Sequence, residues 1–343
     1  MANARVLVVD DSVVCRRLVA SILDEAEGVE VVGTAPNGRI ALDKVRQLAP
    51  DVVVLDIEMP EMDGLTALAE LRRGHPAVKV VMFSVLTERG AAATLDALSL
   101  GAADYATKPA ATADHADAVR AVREQLVPKV LALVARAPAA SLLPPPAPPA
   151  PAAEPAVLAI AASTGGPDAL PELLLALPRE FPVPVLVVQH MPPVFTRLFA
   201  RRLDGRVPLP VAEATDGQEL ANGRVYLAPG DYHLEVHRGH TVLHRAPPVH
   251  SCRPAADVLF RTVAEEYGPA AVAVVLSGMG RDGCAGASEI RRSGGRVFAQ
   301  DPQSCAVFGM PRHVIEAGLA ELVAPPARLG AEIARLVLAG ARR

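Results

Sequence analysis

The sequence predicts an α/β protein of two domains, each built on a doubly wound parallel sheet, joined by a linker rich in proline and alanine. Short apolar runs without polar alternation recur in both halves, which is typical of strands buried on both faces of a parallel sheet. The 343 residues exceed one usual core, since domains hold roughly 100 to 200 residues. Residues 137–155 are almost all alanine and proline, a composition typical of an extended spacer.

Three predicted strands in the first half end in residues that suit phosphoryl chemistry. They are residues 5–9 before Asp10 and Asp11, 51–55 before Asp56, and 79–83 before Ser84, and a further segment, residues 101–107, leads to Lys108 and Pro109. Three carboxylates at adjacent strand ends repel one another unless a divalent cation joins them, and an all-oxygen cluster suits Mg²⁺. Such a cation would prepare Asp56 to accept a phosphoryl group, with Lys108 neutralising its oxygens and Ser84 donating a hydrogen bond. The alternative is that the acidic residues are helix N-caps.

Three predicted strands in the second half end beside residues that nucleophilic acyl transfer needs. They are residues 157–161 before Ser163, 185–189 before His190, and 271–276 before Asp282. A serine hydroxyl attacks when an imidazole takes its proton, and a carboxylate must hold that imidazole in the right tautomer. Because ligands bind outside the carboxyl ends of parallel strands, we expect the three side chains to converge in one crevice. Taken singly, each residue also fits a helix cap or a strand end.

The loop around Ser163 gives further support to the predicted acyl-transfer site. In residues 161–167, small side chains permit a tight strand-to-helix turn, whose N–H groups suit an anionic oxygen. The same loop could cradle a phosphate, but no G-x-G-x-x-G pattern or Walker lysine follows. The order is serine, histidine, aspartate, and no G-x-S-x-G elbow surrounds Ser163. An ordinary esterase or lipase fold is therefore disfavoured.

Between the two predicted sheets, residues 114–135 have helical patterning interrupted by Pro128. Proline inside a helix removes a hydrogen bond and clashes with the preceding turn. We therefore expect the last helix of the first domain and then a kinked or separate linker helix. The predicted division is a first domain over residues 1–127, a linker over 128–155 and a second domain over 156–343.

Composition argues against several classes of protein. No signal peptide and no apolar run of membrane-spanning length is visible, so we expect a cytoplasmic protein without direct membrane insertion. A net charge of -4 without a basic stripe argues against nucleic-acid binding. Five histidines in residues 233–250 lie in an alternating, strand-like stretch that scatters them over a hairpin, with no H-x-x-x-H motif on a helix, which disfavours a metal site there. The cysteines lack C-x-x-C spacing, which fits small apolar fillers in a reducing compartment. They are Cys15, Cys252, Cys284 and Cys305.

Two sets of motifs resemble known families. The first set consists of Asp10-Asp11, residues 56–64, Ser84 and Lys108-Pro109. It resembles the flavodoxin-like receiver domains of two-component response regulators. The second set consists of the three catalytic segments and residues 213–217, 226–230, 299–301 and 308–311. It resembles the Rossmann-like methylesterase domain of the chemotaxis CheB family. Receiver motifs occur in regulators of many kinds, whereas their pairing with this second domain is specific.

The resemblance implies a reaction, the hydrolysis of glutamate methyl esters on chemoreceptors with release of methanol. Some members also deamidate receptor glutamines. It implies that Ser163 attacks the ester carbonyl, that His190 is general base and then acid, and that Asp282 orients His190. By similarity, the backbone N–H of Met279 is an oxyanion donor and Thr164 helps to position the histidine. Ester hydrolysis itself needs no cofactor.

The resemblance also implies control by phosphorylation. In the family, the unphosphorylated receiver lies across the catalytic crevice, and a chemotaxis-type histidine kinase relieves this block by phosphorylating the residue that corresponds to Asp56. The phosphoryl charge of about -1.5 to -2 would draw in Ser84 and Lys108 and rearrange the face that carries Tyr105. Tyr105 also fits an ordinary half-buried strand residue. The implied Mg²⁺ ligands are Asp10, Asp11 and Asp56.

Two details depart from the family pattern. Val85 follows Ser84 where many relatives carry a small polar residue. Residues 250–254 differ from the Asn-x-His-Arg-Pro form of a number of members, although Arg253 and Asp257 match. Two other classes of function stay open: a non-catalytic phosphoryl sink or receptor-docking adaptor, and an acyl hydrolase that acts on small esters.

Overall fold

The computed structural model describes residues 3–109, 114–135 and 153–340. The chain forms two compact units, Met1–Arg136 and Ala137–Arg343. Each unit contains its own parallel sheet, which confirms the predicted fold class. Within the described ranges, no helix is both long and apolar enough to cross a membrane.

The first unit is a parallel sheet covered by helices. Its strands are β1 (Ala4–Val9), β2 (Val29–Ala35), β3 (Val52–Asp56), β4 (Lys79–Ser84) and β5 (Asp104–Thr107). Its helices are α1 (Val13–Asp24), α2 (Gly38–Leu48), α3 (Gly64–Gly74), α4 (Glu88–Ser99) and α5 (His115–Val134). The strand order is β2-β1-β3-β4-β5, and β1, β3 and β4 are almost wholly buried, as their unbroken apolar runs predict. The residues after these strands therefore share one edge of the sheet.

Helix α5 differs from the prediction. It is continuous and includes Pro128, so the predicted end of the first domain falls inside it. The reason is packing, because Val130 and Leu133 beyond the proline are buried. Burying such side chains contributes about 1.5–3 kcal/mol each, which offsets the roughly 3 kcal/mol that an interior proline costs. Most of the predicted linker, residues 136–152, lies outside the described residues.

The second unit holds a larger parallel sheet and a separate hairpin. Its strands are β6 (Val157–Ala162), β7 (Val185–Gln189), β8 (Val211–Glu213), β9 (Val225–Leu227), β10 (His233–His237), β11 (His240–His244), β12 (Ala271–Val275), β13 (Arg296–Gln300) and β14 (Leu322–Ala324). Its helices are α6 (Gly166–Leu175), α7 (Pro193–Asp204), α8 (Ala256–Tyr267), α9 (Cys284–Arg292), α10 (Met310–Glu316) and α11 (Pro326–Gly340). The sheet order is β14-β13-β12-β6-β7-β9-β8.

Strand β6 comes first in this unit but lies inside the sheet, between β7 and β12. The chain winds outwards from β6 through β7 and later crosses to β12 on the other side. In doubly wound sheets, ligands bind at the carboxyl ends of the strands where the winding reverses. The ends of β6, β7 and β12 therefore form the edge at which a site is expected.

The histidine-rich stretch forms the antiparallel hairpin β10–β11, with His233 opposite His244. Leu234 and Val236 are buried, and the Val236 N–H donates to the Thr262 hydroxyl of α8 at 3.1 Å. The alternation in sequence thus reflects a ribbon with one face on the core.

Candidate active site and phosphoryl-acceptor site

Ser163 and His190 follow neighbouring strands of the second sheet. Ala162 at the end of β6 pairs with Gln189 at the end of β7, and the His190 N–H donates to the Ala162 carbonyl at 3.1 Å. The Gln189 side-chain amide donates to the Ser163 carbonyl at 2.9 Å. The residues after the two strands are therefore held side by side at one edge.

Asp282 reaches the same edge from the loop after β12. Its Oδ2 lies 2.7 Å from His190 Nε2 and accepts the Ala256 N–H at 2.6 Å. Its Oδ1 accepts the N–H groups of Asp257 and Gly283, each at 3.0 Å. The carboxylate is almost wholly buried. Both of its oxygens are thus used, and the side chain has one defined orientation.

Burial and hydrogen bonding act in opposite directions on this pair. Burial alone would raise the pKa of Asp282, but the bond and charge of His190 and the backbone donors outweigh it and lower that pKa. Burial alone would lower the pKa of His190, but bonds to Asp282 and Cys252 outweigh it and raise that pKa. The acid stays ionised, and the ring beside it holds a transferred proton well.

The second ring nitrogen of His190 faces a sulfur atom. Cys252 Sγ lies 3.6 Å from His190 Nδ1, whereas nothing in the described ranges joins the Ser163 hydroxyl to the ring by a hydrogen bond. The structure therefore bonds His190 to Asp282 and places Ser163 beside them. The interpretation of Cys252 as an apolar filler is wrong, because its sulfur belongs to a polar cluster that the tertiary fold assembles.

The loop after β12 also packs against the serine. A Cβ on Gly278 would lie 2.9 Å from the Ser163 Cβ, a separation that real Cβ atoms essentially never show, so the position requires glycine. Met279 follows, and its backbone N–H donates to no acceptor among the described residues. The N–H predicted to bind an oxyanion thus comes directly after a residue in contact with the serine.

Ser277 is a supporting residue that the sequence reasoning missed. It is fully buried, its carbonyl accepts the Ser163 N–H at 3.0 Å, and its hydroxyl donates to the Thr164 carbonyl at 2.7 Å. The Ser277 N–H in turn donates to Gln300 Oε1 at 2.7 Å. Ser277 therefore ties the nucleophile loop, including Thr164, to the loop after β12. A serine directly after a wholly apolar strand was the signal available in the sequence.

The first unit gathers its predicted carboxylates at one edge. Asp10, Asp11 and Asp56 offer oxygens within 4.8 Å of one another. Lys108 Nζ lies 2.8 Å from Asp10 Oδ2 and 2.7 Å from Asp56 Oδ2, and so offsets their repulsion. Burial raises the pKa of Asp56 to about 6, although Lys108 opposes that shift. Asp11, Asp56, Ser84 and Lys108 border a cleft of about 840 Å³.

Two of the predicted switch residues of this unit, Ser84 and Tyr105, are buried. Ser84 Oγ lies 2.7 Å from the Thr94 hydroxyl of α4, and Thr94 donates to the Gly90 carbonyl at 2.7 Å. Because Thr94 has one hydroxyl proton, Ser84 is the donor in their pair. Tyr105 is 7% exposed, and Lys129 Nζ lies 5.1 Å from the centre of its ring. Both side chains are therefore held against helices, Ser84 by α4 and Tyr105 by α5.

Comparison with known families matches residues 158–333 to CheB methylesterase and residues 6–120 to the response regulator receiver domain. The first match covers just over half of the chain. The chain belongs to the CheB methylesterase family. The resemblance inferred from the motifs is thus confirmed for both halves.

CheB relatives match over nearly the whole chain. A protein-glutamate methylesterase/protein-glutamine glutaminase of Nocardioides sp. is 52% identical over 98% of this chain and 96% of that protein. One of the same name from Trichodesmium erythraeum is 44% identical over 98% of this chain and 100% of its own length. The crystal structure of the Thermotoga maritima CheB methylesterase catalytic domain is 42% identical, covers 54% of this chain and 100% of that chain, and has a TM-score of 0.52. The second unit thus shares its fold with a CheB catalytic domain.

Proposed function

We propose that this chain hydrolyses the methyl esters of glutamate side chains on chemoreceptors, and that phosphorylation of Asp56 activates it. The observation that carries the proposal is the bond between His190 and Asp282 beside Ser163, at the strand ends where the winding of the sheet reverses. The relatives named protein-glutamate methylesterase/protein-glutamine glutaminase support the substrate class.

The geometry supports Nδ1 of His190 as the nitrogen that acts as the base. Asp282 accepts from His190 Nε2, so in the neutral ring Nε2 carries the hydrogen and Nδ1 carries the lone pair. As Ser163 Oγ bonds to the ester carbonyl carbon, its proton passes to Nδ1. The Asp282 carboxylate stabilises the charge that forms on the ring, the Met279 N–H donates to the developing oxyanion, and Thr164 helps to position the histidine.

The remaining steps return the serine to its starting state. The tetrahedral intermediate collapses by breaking the bond to the methoxy oxygen, which takes the proton from His190 Nδ1 and leaves as methanol. Water then attacks the acyl group on Ser163, its proton passes to Nδ1 and on to the serine oxygen, and free glutamate is released. Glutamine deamidation follows the same steps with ammonia as the leaving group, and we propose it as a second reaction of this site.

The carboxylate cluster of the first unit suits a Mg²⁺ ion. Its donors are hard carboxylate oxygens, two of them on the buried residues Asp10 and Asp56, and these like charges need a cation beyond the single Lys108. The residues proposed to hold it are Asp10, Asp11 and Asp56. The ion would neutralise charge during phosphoryl transfer to Asp56 from a chemotaxis-type histidine kinase. Lys108 and Ser84 would then bind phosphoryl oxygens, and Tyr105 would respond to the rearrangement.

A methanol-release assay on methylated receptor, with and without a small phosphodonor, tests substrate and regulation together. We expect Ser163→Ala to abolish release while Asp56 is still phosphorylated, and Asp56→Asn to keep basal release but lose the response. Methanol release by Ser163→Ala at the wild-type rate would contradict the assignment of Ser163 as the nucleophile. Faster turnover of a small ester than of receptor would indicate a general acyl hydrolase, and no release by the wild-type protein in either condition would indicate an adaptor.

A further inference from the structure

Both ring nitrogens of His190 have partners, and they are of different kinds. A buried carboxylate holds Nε2 at 2.7 Å, and Cys252 Sγ faces Nδ1 at 3.6 Å. Nδ1 is the nitrogen that must take the proton of Ser163 in the proposed reaction. In this structure the Cys252 thiol group therefore lies on the side of His190 from which Nδ1 must accept the proton.

The turn that presents the sulfur is tightly fixed. Val249 and Cys252 exchange two backbone hydrogen bonds, at 2.9 and 3.1 Å. The two residues between them, His250 and Ser251, have φ angles of 52° and 61°, a region that L side chains rarely adopt. Backbone in this region persists when surrounding contacts over-determine it. One such contact is His250 Nε2, which lies 2.8 Å from Asp257 Oδ2.

Asp257, which holds this turn, also holds the catalytic acid Asp282. The Asp257 N–H donates to Asp282 Oδ1 at 3.0 Å, and its Oδ1 accepts the Gly286 N–H at 2.7 Å. A closed circuit thus runs from the ring through Asp282 to Asp257, along the turn and back to the ring through Cys252. The carboxylate and the sulfur are positioned against the imidazole by one connected set of bonds.

We infer that Cys252 is a positioning residue for His190, holding the Nδ1 side of the ring until the Ser163 hydroxyl takes over that nitrogen. The inference rests on the proposed function and adds a component of the same site. A thiol is a weak donor and a weak acceptor, so a serine hydroxyl can displace it when substrate binds. The Asp282 carboxylate on one side of the His190 ring and the Cys252 sulfur on the other together prevent the ring from rotating between catalytic cycles.

The test uses the full-length protein with the variants Cys252→Ala and Cys252→Ser, and Cys284→Ala as a matched cysteine control. We expect Cys252→Ala to lower kcat roughly tenfold, since small misplacements of a catalytic group lower rates severalfold to a hundredfold, with KM on methylated receptor essentially unchanged. Cys252→Ser keeps a hydrogen-bonding group on the turn and should recover most of that kcat. Cys284→Ala should match the wild type.

The pH dependence of kcat separates positioning from a purely structural role. Asp282 and Cys252 are the titratable groups that bond to the ring. Changing the group at Nδ1 changes the free energy of protonating that nitrogen, so the acid limb of the profile should move in both Cys252 variants. A loss of stability alone would leave that limb in place.

The outcomes distinguish the inference from the proposed function. A folded Cys252→Ala protein with wild-type kcat and an unmoved acid limb overturns the positioning role, while an inactive Ser163→Ala protein shows that the esterase assignment stands. Methanol release by Ser163→Ala overturns the esterase assignment itself. If Cys252→Ala fails to fold, the Cys252→Ser variant tests the inference in its place. An acid limb at the wild-type pH in Cys252→Ser would contradict the inference.

Discussion

Replacing Asp282 with asparagine tests the hydrogen-bond geometry of the catalytic site directly. The carboxylate accepts at both oxygens, whereas an amide has one acceptor oxygen and a nitrogen that only donates. With that nitrogen in the Oδ1 position, the N–H groups of Asp257 and Gly283 lose their acceptor. With the nitrogen in the Oδ2 position, the Ala256 N–H loses its acceptor and the amide donates to His190 Nε2.

The two orientations differ in stability. Each unpaired buried donor costs about 1–3 kcal/mol, so the first orientation costs about 2–6 kcal/mol and the second about 1–3 kcal/mol. The second is therefore favoured, and it moves the ring hydrogen of His190 to Nδ1. A ring in that tautomer cannot accept the serine proton, and the lost general base should lower kcat by roughly 10² to 10⁴.

Urea unfolding and methanol release measure these two effects. The control is Glu265→Gln, an exposed acid-to-amide change on α8, which should shift the unfolding free energy by less than about 0.5 kcal/mol. An Asp282→Asn protein with the stability of the control would refute the donor argument. Wild-type kcat in that variant would refute the tautomer argument.

Two further predictions concern the first unit. Thr94→Val removes the acceptor that holds the Ser84 proton, and one hydrogen bond is worth about 0.5–1.5 kcal/mol. The phosphodonor concentration that activates methanol release should then be roughly two- to tenfold lower than for the wild type. A higher phosphodonor concentration in this variant would contradict the role of Ser84. Burial raises the pKa of Asp56 to about 6 from its ordinary value of 3.8, so folding favours its protonated form. Without Mg²⁺, the unfolding free energy of the wild type should therefore rise relative to Asp56→Asn as pH falls from 7 to about 5, and a difference that stays constant or falls would contradict the shift.

Much of the architecture follows from local sequence. The unbroken apolar runs locate the main strands to within a residue or so, because parallel strands covered on both faces admit few polar positions. The proximity of Ser163 to His190 follows from the same pattern, since each lies directly beyond a predicted strand and the strands are neighbours. The approach of Asp282 requires the further step that β12 pairs with β6.

The parts that sequence could not supply depend on tertiary packing. The contact of Cys252 with His190 arises from a turn that bonds to the helix directly after it and reaches a loop far away in the sequence, and no periodicity marks it. The continuity of α5 through Pro128 depends on apolar side chains beyond the proline finding a buried surface. A local rule for proline cannot anticipate that compensation.

The sheet order of the second unit has a consequence for protein synthesis. The strand that leads to Ser163 leaves the ribosome early in the synthesis of this unit, whereas its partner β12 and the acid beyond it emerge much later. A nascent or prematurely terminated polypeptide lacking that later strand cannot assemble the acid–imidazole pair. Hydrolytic competence should therefore arise only late in translation, so truncated products would be inert towards receptors.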